Sequence, residues 1–316
     1  MGGVRERRPD EVRAWLATKP SLDELRAEFP QEWEAVQREL VTVVAAQDPA
    51  ALEAYVAKLS AAGAASARPA PVLAGSARER DRISAHVRRE MAVTALRKHC
   101  LAVATGVTGT VRFNLLNGWL AQRLLFRRDL ERKPVSMRWF RLLWPRLSQR
   151  DLLMPLVQPK GIYCFYSAAL IDELATLIDG RSCLEIAAGD GTLSRFLAAR
   201  GVPVTASDDF SWQGRVRYPE GVVREDARDS LKRRSPEVVL CSWPPAGNVF
   251  ERHVFRTASV QLYVVIGSRH RFASGDWEAY ERQTGFELEE RPDLAALVLP
   301  PELESGVYLF PRRGGG

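Results

Sequence analysis

Arg181–Asp209 reads RSCLEIAAGDGTLSRFLAARGVPVTASDD. An apolar run from Cys183 to Ala187 breaks at Gly189-Asp190-Gly191. Leu193, Phe196 and Leu197 then recur at helical spacing, and a second, β-branched run, Val202 to Ala206, ends in Asp208-Asp209. The order is strand, glycine turn, helix, strand, acid. In an open parallel α/β sheet such a unit brings the turn and the acid together at the carboxyl ends of neighbouring strands, where ligands bind. Gly189 and Gly191 let a ligand approach the backbone closely and permit φ > 0. The acid stands where it can accept hydrogen bonds from a ribose diol, so the stretch reads as a nucleoside site.

The glycine pattern separates two nucleoside classes. A dinucleotide fingerprint, G-x-G-x-x-G, seats a pyrophosphate on the helix N-terminus. Here the third glycine position is Ser194 and an acid, Asp190, lies between the two glycines. That carboxylate would repel a pyrophosphate, whereas it suits the α-amino group of a methionine moiety. The spacing E-x-A-x-G-x-G, Glu185, Ala187, Gly189 and Gly191, resembles motif I of the class I S-adenosylmethionine-dependent methyltransferases. The resemblance covers roughly 161–311 and leaves the first half of the chain unexplained. It implies an α/β fold, a Rossmann-like seven-stranded methyltransferase sheet, here with an N-terminal all-helical domain.

Outward from motif I, further segments match in order. Tyr163 and Tyr166 precede it where such enzymes fold a tyrosine over the cofactor. Val222–Arg224 reads as a short strand ending in Glu225-Asp226-Ala227, which resembles motif III, where the acid accepts from the adenine amino group. Pro236–Cys241 is a buried strand opening into Ser242-Trp243-Pro244-Pro245-Ala246, the motif IV position beside the transferred methyl. Amino-methylating enzymes put an acid, Asn or Ser directly before Pro-Pro and an aromatic after it. Here Trp243 intervenes and Ala246 replaces the closing aromatic, which counts against that role. The next strand, Val260–Gly267, leads into Ser268-Arg269-His270-Arg271. Phe286–Glu290 and Gly306–Phe310 read as a closing antiparallel pair.

The resemblance therefore implies a cofactor site of Tyr166, Glu185, Ala187, Gly189, Asp190, Gly191, Asp208, Asp209, Asp226, Ala227, Ser242 and Trp243, with S-adenosyl-L-methionine as cofactor and no metal. Asp208 is taken as the ribose ligand because it comes first after the strand. Candidate catalytic residues are His270, Ser242 and His253, the two histidines being those of the catalytic half. His270 is expected at the ligand edge of the sheet, with Arg269 and Arg271 able to clamp an anionic acceptor.

Length and composition allow one large domain or two ordinary ones: 316 residues, 46% hydrophobic and 27% charged. A net charge of +6 suits an anionic partner only weakly on a chain this long. Cys100, Cys164, Cys183 and Cys241 are far apart, which indicates neither a disulfide framework nor a zinc site. The N-terminus lacks the apolar core of a signal peptide and no run approaches a membrane span, so a cytoplasmic enzyme is expected.

Four segments are expected: a helical subdomain over 1–64, a linker rich in Ala, Pro, Gly and Ser over 65–77, a basic helical cap or substrate region over 78–157, and the cofactor-binding catalytic domain over 158–316. Asp10 and Ser21 stand where helix N-caps belong, and Ser21 with Glu24 matches a capping box. In the basic region Trp119, Trp139 and Trp144 are interleaved with arginines. The favoured reading is a cap whose arginines are solvated and whose tryptophans pack on the catalytic domain. The expected function is O-methylation, of a hydroxyl or carboxylate, of a small molecule held between cap and sheet. Two alternatives stay open: an N-methyltransferase that holds nucleic acid or protein on the basic helices, and a non-catalytic partner protein with this fold. The N-terminal helices offer a homodimer interface.

Overall fold

A computed structural model describes residues 9–45, 51, 54–55, 57–59, 77–99, 115–214 and 216–314. The chain divides into two compact units, Met1–Gly106 and Val107–Gly316. The proposed linker lies almost wholly outside the described residues, as do Asp48, Pro49 and Cys100.

In the first unit α1 (Pro9–Ala17), α2 (Leu22–Glu28), α3 (Pro30–Ala45) and α4 (Ala77–His99) pack on one another. Asp10 lies inside α1 and not before it. Ser21 caps α2 as read: its N–H donates to Glu24 Oε2 at 2.7 Å, and Glu24 N–H donates to Ser21 Oγ at 3.3 Å. Trp33, Val36 and Leu40 of α3 and Val87, Met91 and Ala95 of α4 repeat every three or four residues and are buried. They form the core of this unit. The basic stretch 78–157, expected as one region, is thus split. Its first helix, α4, is built into the N-terminal unit, because the four-residue repeat of small and apolar side chains needs the facing helices to bury it.

The second unit begins with α5 (Leu115–Leu125), α6 (Met137–Leu143) and α7 (Leu153–Val157). Then follow β1 (Phe165–Tyr166), α8 (Ala168–Ile178), β2 (Cys183–Glu185), α9 (Thr192–Ala198), β3 (Val204–Asp208), β4 (Val222–Arg224) and α10 (Ala227–Arg234). The chain ends with β5 (Val238–Ser242), α11 (Arg252–Arg256), β6 (Leu262–Ser268), α12 (Trp277–Arg282), β7 (Glu289–Glu290), α13 (Pro292–Ala295), β8 (Val298–Leu299) and β9 (Ser305–Pro311).

The seven-stranded sheet runs β4-β3-β2-β5-β6-β9-β7. Neighbours from β4 to β6 are parallel, and β9 pairs antiparallel with both β6 and β7. This order, with a reversed strand inserted next to the edge, is that of the class I methyltransferase fold. Side chains alternate across it as the pleat requires. On β5, Val238 and Leu240 enter one apolar layer, while Val239 and Cys241 enter the other. On β6, Leu262, Val264 and Ile266 alternate in the same way with Tyr263 and Val265. The first layer is completed by α5 to α9 and the second by α10 to α12, so both sheet faces are covered. Most strand ends differ slightly from the sequence reading, and two differences bear on the site and the sheet edge. The second starts at Val204 and keeps Asp208 within the ladder, and the sixth begins only at Glu289, with a lone bridge at Phe286.

Of the basic-region tryptophans, Trp144 packs into the core of the second unit and donates to Glu302 at 3.1 Å. Trp119 and Trp139 do not: they are 63% and 59% exposed. Among the described residues no helix is long and apolar enough to cross a membrane.

Candidate active site

The carboxyl ends of β2, β3 and β5 each finish in a backbone conformation unusual for a residue with a side chain. Ala187 has φ +47°, Phe210 +62° and Trp243 +55°. Strain of this kind, about 1–3 kcal/mol each, persists where the surroundings impose it and clusters at ligand sites. Between these three turns opens a cleft of about 970 Å³, its open mouth included.

The motif I turn is built from below. Glu185, at the end of β2, is buried, and its Oε2 accepts from Ser194 N–H at 2.9 Å and Ser194 Oγ–H at 2.5 Å. It ties the strand to the first turn of α9. Burial outweighs these donors and pushes its pKa up to about 7. Gly191 caps α9 at φ +64°, and a Cβ there would stand 2.6 Å from Val222 Cγ2, so glycine is required by both the dihedral and the packing. Neither Glu185 nor Gly191 lines the cleft; both shape its floor. Ala187, Gly189 and Asp190 do line it.

Asp190 Oδ1 accepts from Thr192 N–H at 3.1 Å and from Arg132 Nη2 at 2.6 Å. Arg132 is buried, donates through Nη1 to the Cys164 carbonyl at 2.8 Å, and lies over the Tyr166 ring, 5.5 Å from its centroid. Its Nε, also buried, has no acceptor among the described residues. Of the stretch 78–157, Arg132 is the residue that reaches the cleft among the described residues. No sequence pattern marked it, since it lies 58 positions from its carboxylate partner.

Asp208 closes β3 with Oδ2 accepting from Gly189 N–H at 2.9 Å and Oδ1 from Phe210 N–H at 2.9 Å. Asp209 is exposed at the cleft and accepts from Ser211 N–H at 2.8 Å. Asp226 caps α10, accepting from Asp229 N–H at 2.9 Å. It lines the cleft together with Glu225 and Ala227. Across the cleft Tyr166 OH and Ser242 Oγ share a hydrogen bond of 2.8 Å, with Trp243 beside them. Tyr163, Cys164, Trp212, Val216, Tyr218 and Phe250 also line the cleft. The aromatic density of Phe210, Trp212 and Tyr218 is the sequence signal that marks this wall of the cleft.

The two histidines are not brought to this cleft. His270 follows β6 as expected but is 1% exposed and turned onto Glu304. Arg269 binds the same carboxylate at 3.0 Å, and Arg271 pairs with Glu281. Arg269 and His270 fasten the end of β6 to the turn before β9, and Arg271 fastens it to α12, so the expected clamp on an acceptor is not formed. His253 lies on α11, half-buried, with its pKa lowered by burial and by Arg228, Arg256 and Arg252. Neither histidine nor lysine is among the described residues that line the cleft.

No family model matches the chain, and no curated protein sequence matches it. Among solved structures, it is similar to the magnesium protoporphyrin IX methyltransferase of Synechocystis with S-adenosylmethionine bound: 13% identity over 56% of this chain and 90% of that one, TM-score 0.35. It is similar also to a Pyrococcus abyssi tRNA (uracil-54, C5)-methyltransferase with S-adenosyl-L-homocysteine, at 16% identity over 46% of this chain and TM-score 0.32. The match spans 37% of that enzyme's length. A third likeness is to the CurJ carbon methyltransferase, 12% identity over 97% of this chain and 100% of that one, TM-score 0.35. The fold assignment rests on the strand order and pairing directions.

Proposed function

We propose that the chain is an S-adenosylmethionine-dependent methyltransferase that methylates an oxygen of a small acceptor, a carboxylate in preference to a hydroxyl. The observation that carries the cofactor assignment is the cleft itself, where Asp190, Asp208, Asp226 and Ser242 meet at four strand ends. When bound, S-adenosylmethionine supplies a methyl group on a positively charged sulfur.

The residues fit that group. The orphaned Nε of Arg132 suits a methionyl carboxylate, and Asp190, with 29% of its side chain exposed, suits the neighbouring ammonium. A zwitterion between these two gains from both charges. Asp208 keeps lone pairs beyond the two backbone donors it already serves, and with Asp209 it offers acceptors for a ribose diol. Asp226 holds its helix through one oxygen and leaves the other for an amino group at the adenine end.

At the motif IV side Tyr166 and Ser242 have two hydroxyl protons and use one between themselves, so one remains to orient an acceptor oxygen. Trp243 walls that position and excludes water. In-line positioning carries most of such a reaction. A carboxylate acceptor brings its own lone pair and loses no proton. A hydroxyl acceptor needs a base; the described lining residues hold no imidazole, and Asp190, Asp208 and Asp226 are given to the cofactor in this reading.

The test is conversion of S-adenosylmethionine to S-adenosylhomocysteine with aromatic and aliphatic carboxylic acids, each paired with its alcohol, between pH 6 and 9. Turnover of the acids at a rate flat with pH is expected. Turnover of alcohols alone, rising with pH, would overturn the carboxylate reading.

A further inference from the structure

We propose that the outer face of α5 and α6, with the turn that joins them, is a docking surface for single-stranded nucleic acid. The proposal concerns a surface apart from the cleft and does not depend on the methyl-transfer reading.

Three observations carry it. First, Trp119 and Trp139 present 63% and 59% of their surface to solvent, with Leu142 at 47%. Large aromatic rings are expensive to leave in water without a partner. Second, Arg123, Arg128, Lys133, Arg138, Arg141 and Arg146 have no carboxylate within ion-pair distance among the described residues. The nearby Glu131 is already taken, by Arg195 at 3.1 Å and Arg127 at 3.9 Å. Third, positive charge is crowded at the turn, where the Lys133 Nζ donates to the Arg123 carbonyl at 2.6 Å and is held below its ordinary pKa by partial burial and by Arg123 and Arg127. An anion on this face relieves that repulsion.

The arrangement selects the class of anion. Trp119 and Arg123 lie one helical turn apart on α5, and on α6 the pairs Arg138–Arg141 and Trp139–Leu142 form adjacent stripes, with α5 and α6 packed together. Rings alternating with cations match a strand whose bases alternate with phosphates, and stacking on rings needs unpaired bases. All the uncompensated cations but Lys133 are arginines, whose planar fork suits phosphate. A bilayer is the poorer fit. The exposed apolar groups are separated by guanidinium groups that would be drawn below the headgroups, and α6, Met137–Leu143, turns Phe140 into the protein core.

The experiment is fluorescence anisotropy of labelled twelve-nucleotide oligo(U) and oligo(dT) with the full chain, from 50 to 300 mM salt. Binding is expected to fall as salt rises, with a log–log slope of about −2 to −3 for three or four phosphates. Trp139→Ala and Trp119→Ala should each weaken it about tenfold. The pair Arg138→Ala and Arg141→Ala should reduce the slope by about 1.4. S-Adenosylhomocysteine titration of the same variants, expected unchanged, reports that the catalytic unit is folded. Three results overturn the proposal: tryptophan variants that bind as the parent does, tighter binding of a duplex of equal length, or binding to phosphatidylserine vesicles but not to either oligonucleotide. Failure of the parent chain to bind S-adenosylhomocysteine, with the oligonucleotide pattern intact, counts against the methyltransferase reading alone.

Discussion

Replacing Arg132 by methionine keeps the volume of the side chain and removes its charge and its donors. Two contacts are lost at once, the one to the Cys164 carbonyl at 2.8 Å and the one to Asp190 at 2.6 Å. The carbonyl is buried and stays without that donor, a cost of about 1–3 kcal/mol. Asp190 is partly exposed and keeps Thr192 N–H, so water compensates most of its loss. The sum, about 2 kcal/mol, corresponds in a unit of this size to roughly 4–8 °C in melting temperature. For the cofactor the loss is a charge-assisted hydrogen bond to the methionyl carboxylate, about 1.5–3 kcal/mol, or roughly 10- to 150-fold in Kd. Calorimetry with two ligands separates the causes. S-Adenosylhomocysteine carries the amino-acid end and should weaken by that factor, whereas adenosine lacks it and should bind as before. Arg132→Lys should fall between, because it keeps the charge and loses the fork. Equal weakening of both ligands would show that Arg132 acts only through the glycine turn, and unchanged S-adenosylhomocysteine binding would refute the carboxylate role.

Other consequences can be measured with the same protein. Glu185 has a folded pKa raised to about 7, so its protonation favours the folded state below about pH 4.5, and this contribution is lost as pH rises through 7. Between pH 5.5 and 8 the loss is about 2 kcal/mol, and urea unfolding of Glu185→Gln should show a flatter pH dependence than the parent. A steeper one would contradict the burial argument. His270→Gln should lower the melting temperature, since it removes a ring clasped by Glu304, while S-adenosylhomocysteine affinity and turnover stay within about twofold; loss of turnover with the cofactor still bound would restore a catalytic histidine. Gly191→Ala should destabilise by about 1–3 kcal/mol, from the positive φ and the contact with Val222. A stability equal to the parent's would mean that β4 yields at that point.

What the sequence made legible follows from the range of the interactions. The motif I turn, the helix after it and the acid at 208 are fixed by local rules, namely glycine conformation, apolar period and strand spacing, and they fall where they were read. The same holds for the Ser21–Glu24 cap. His270 shows the limit of that reasoning: its position after β6 was right, but its direction is set by Glu304, 34 residues away. Arg132 is the converse, a residue with no local pattern that reaches the site because the hairpin-like turn 126–132 lies against α9. Charge joins 78–157 into one region because it is a surface property, whereas membership of a unit is decided by the buried repeat, which in α4 points into the N-terminal helices. Trp119 and Trp139 are separated from Trp144 by burial alone, and composition carries no trace of that difference.

Whether the cleft takes a sulfur-bearing adenosine decides the cofactor assignment. Titration of the full chain with S-adenosylhomocysteine, followed by heat, should give one-to-one binding in the micromolar range, weakened at least tenfold in Asp208→Ala. Absence of binding at millimolar ligand, in a chain whose melting shows it folded, would contradict it.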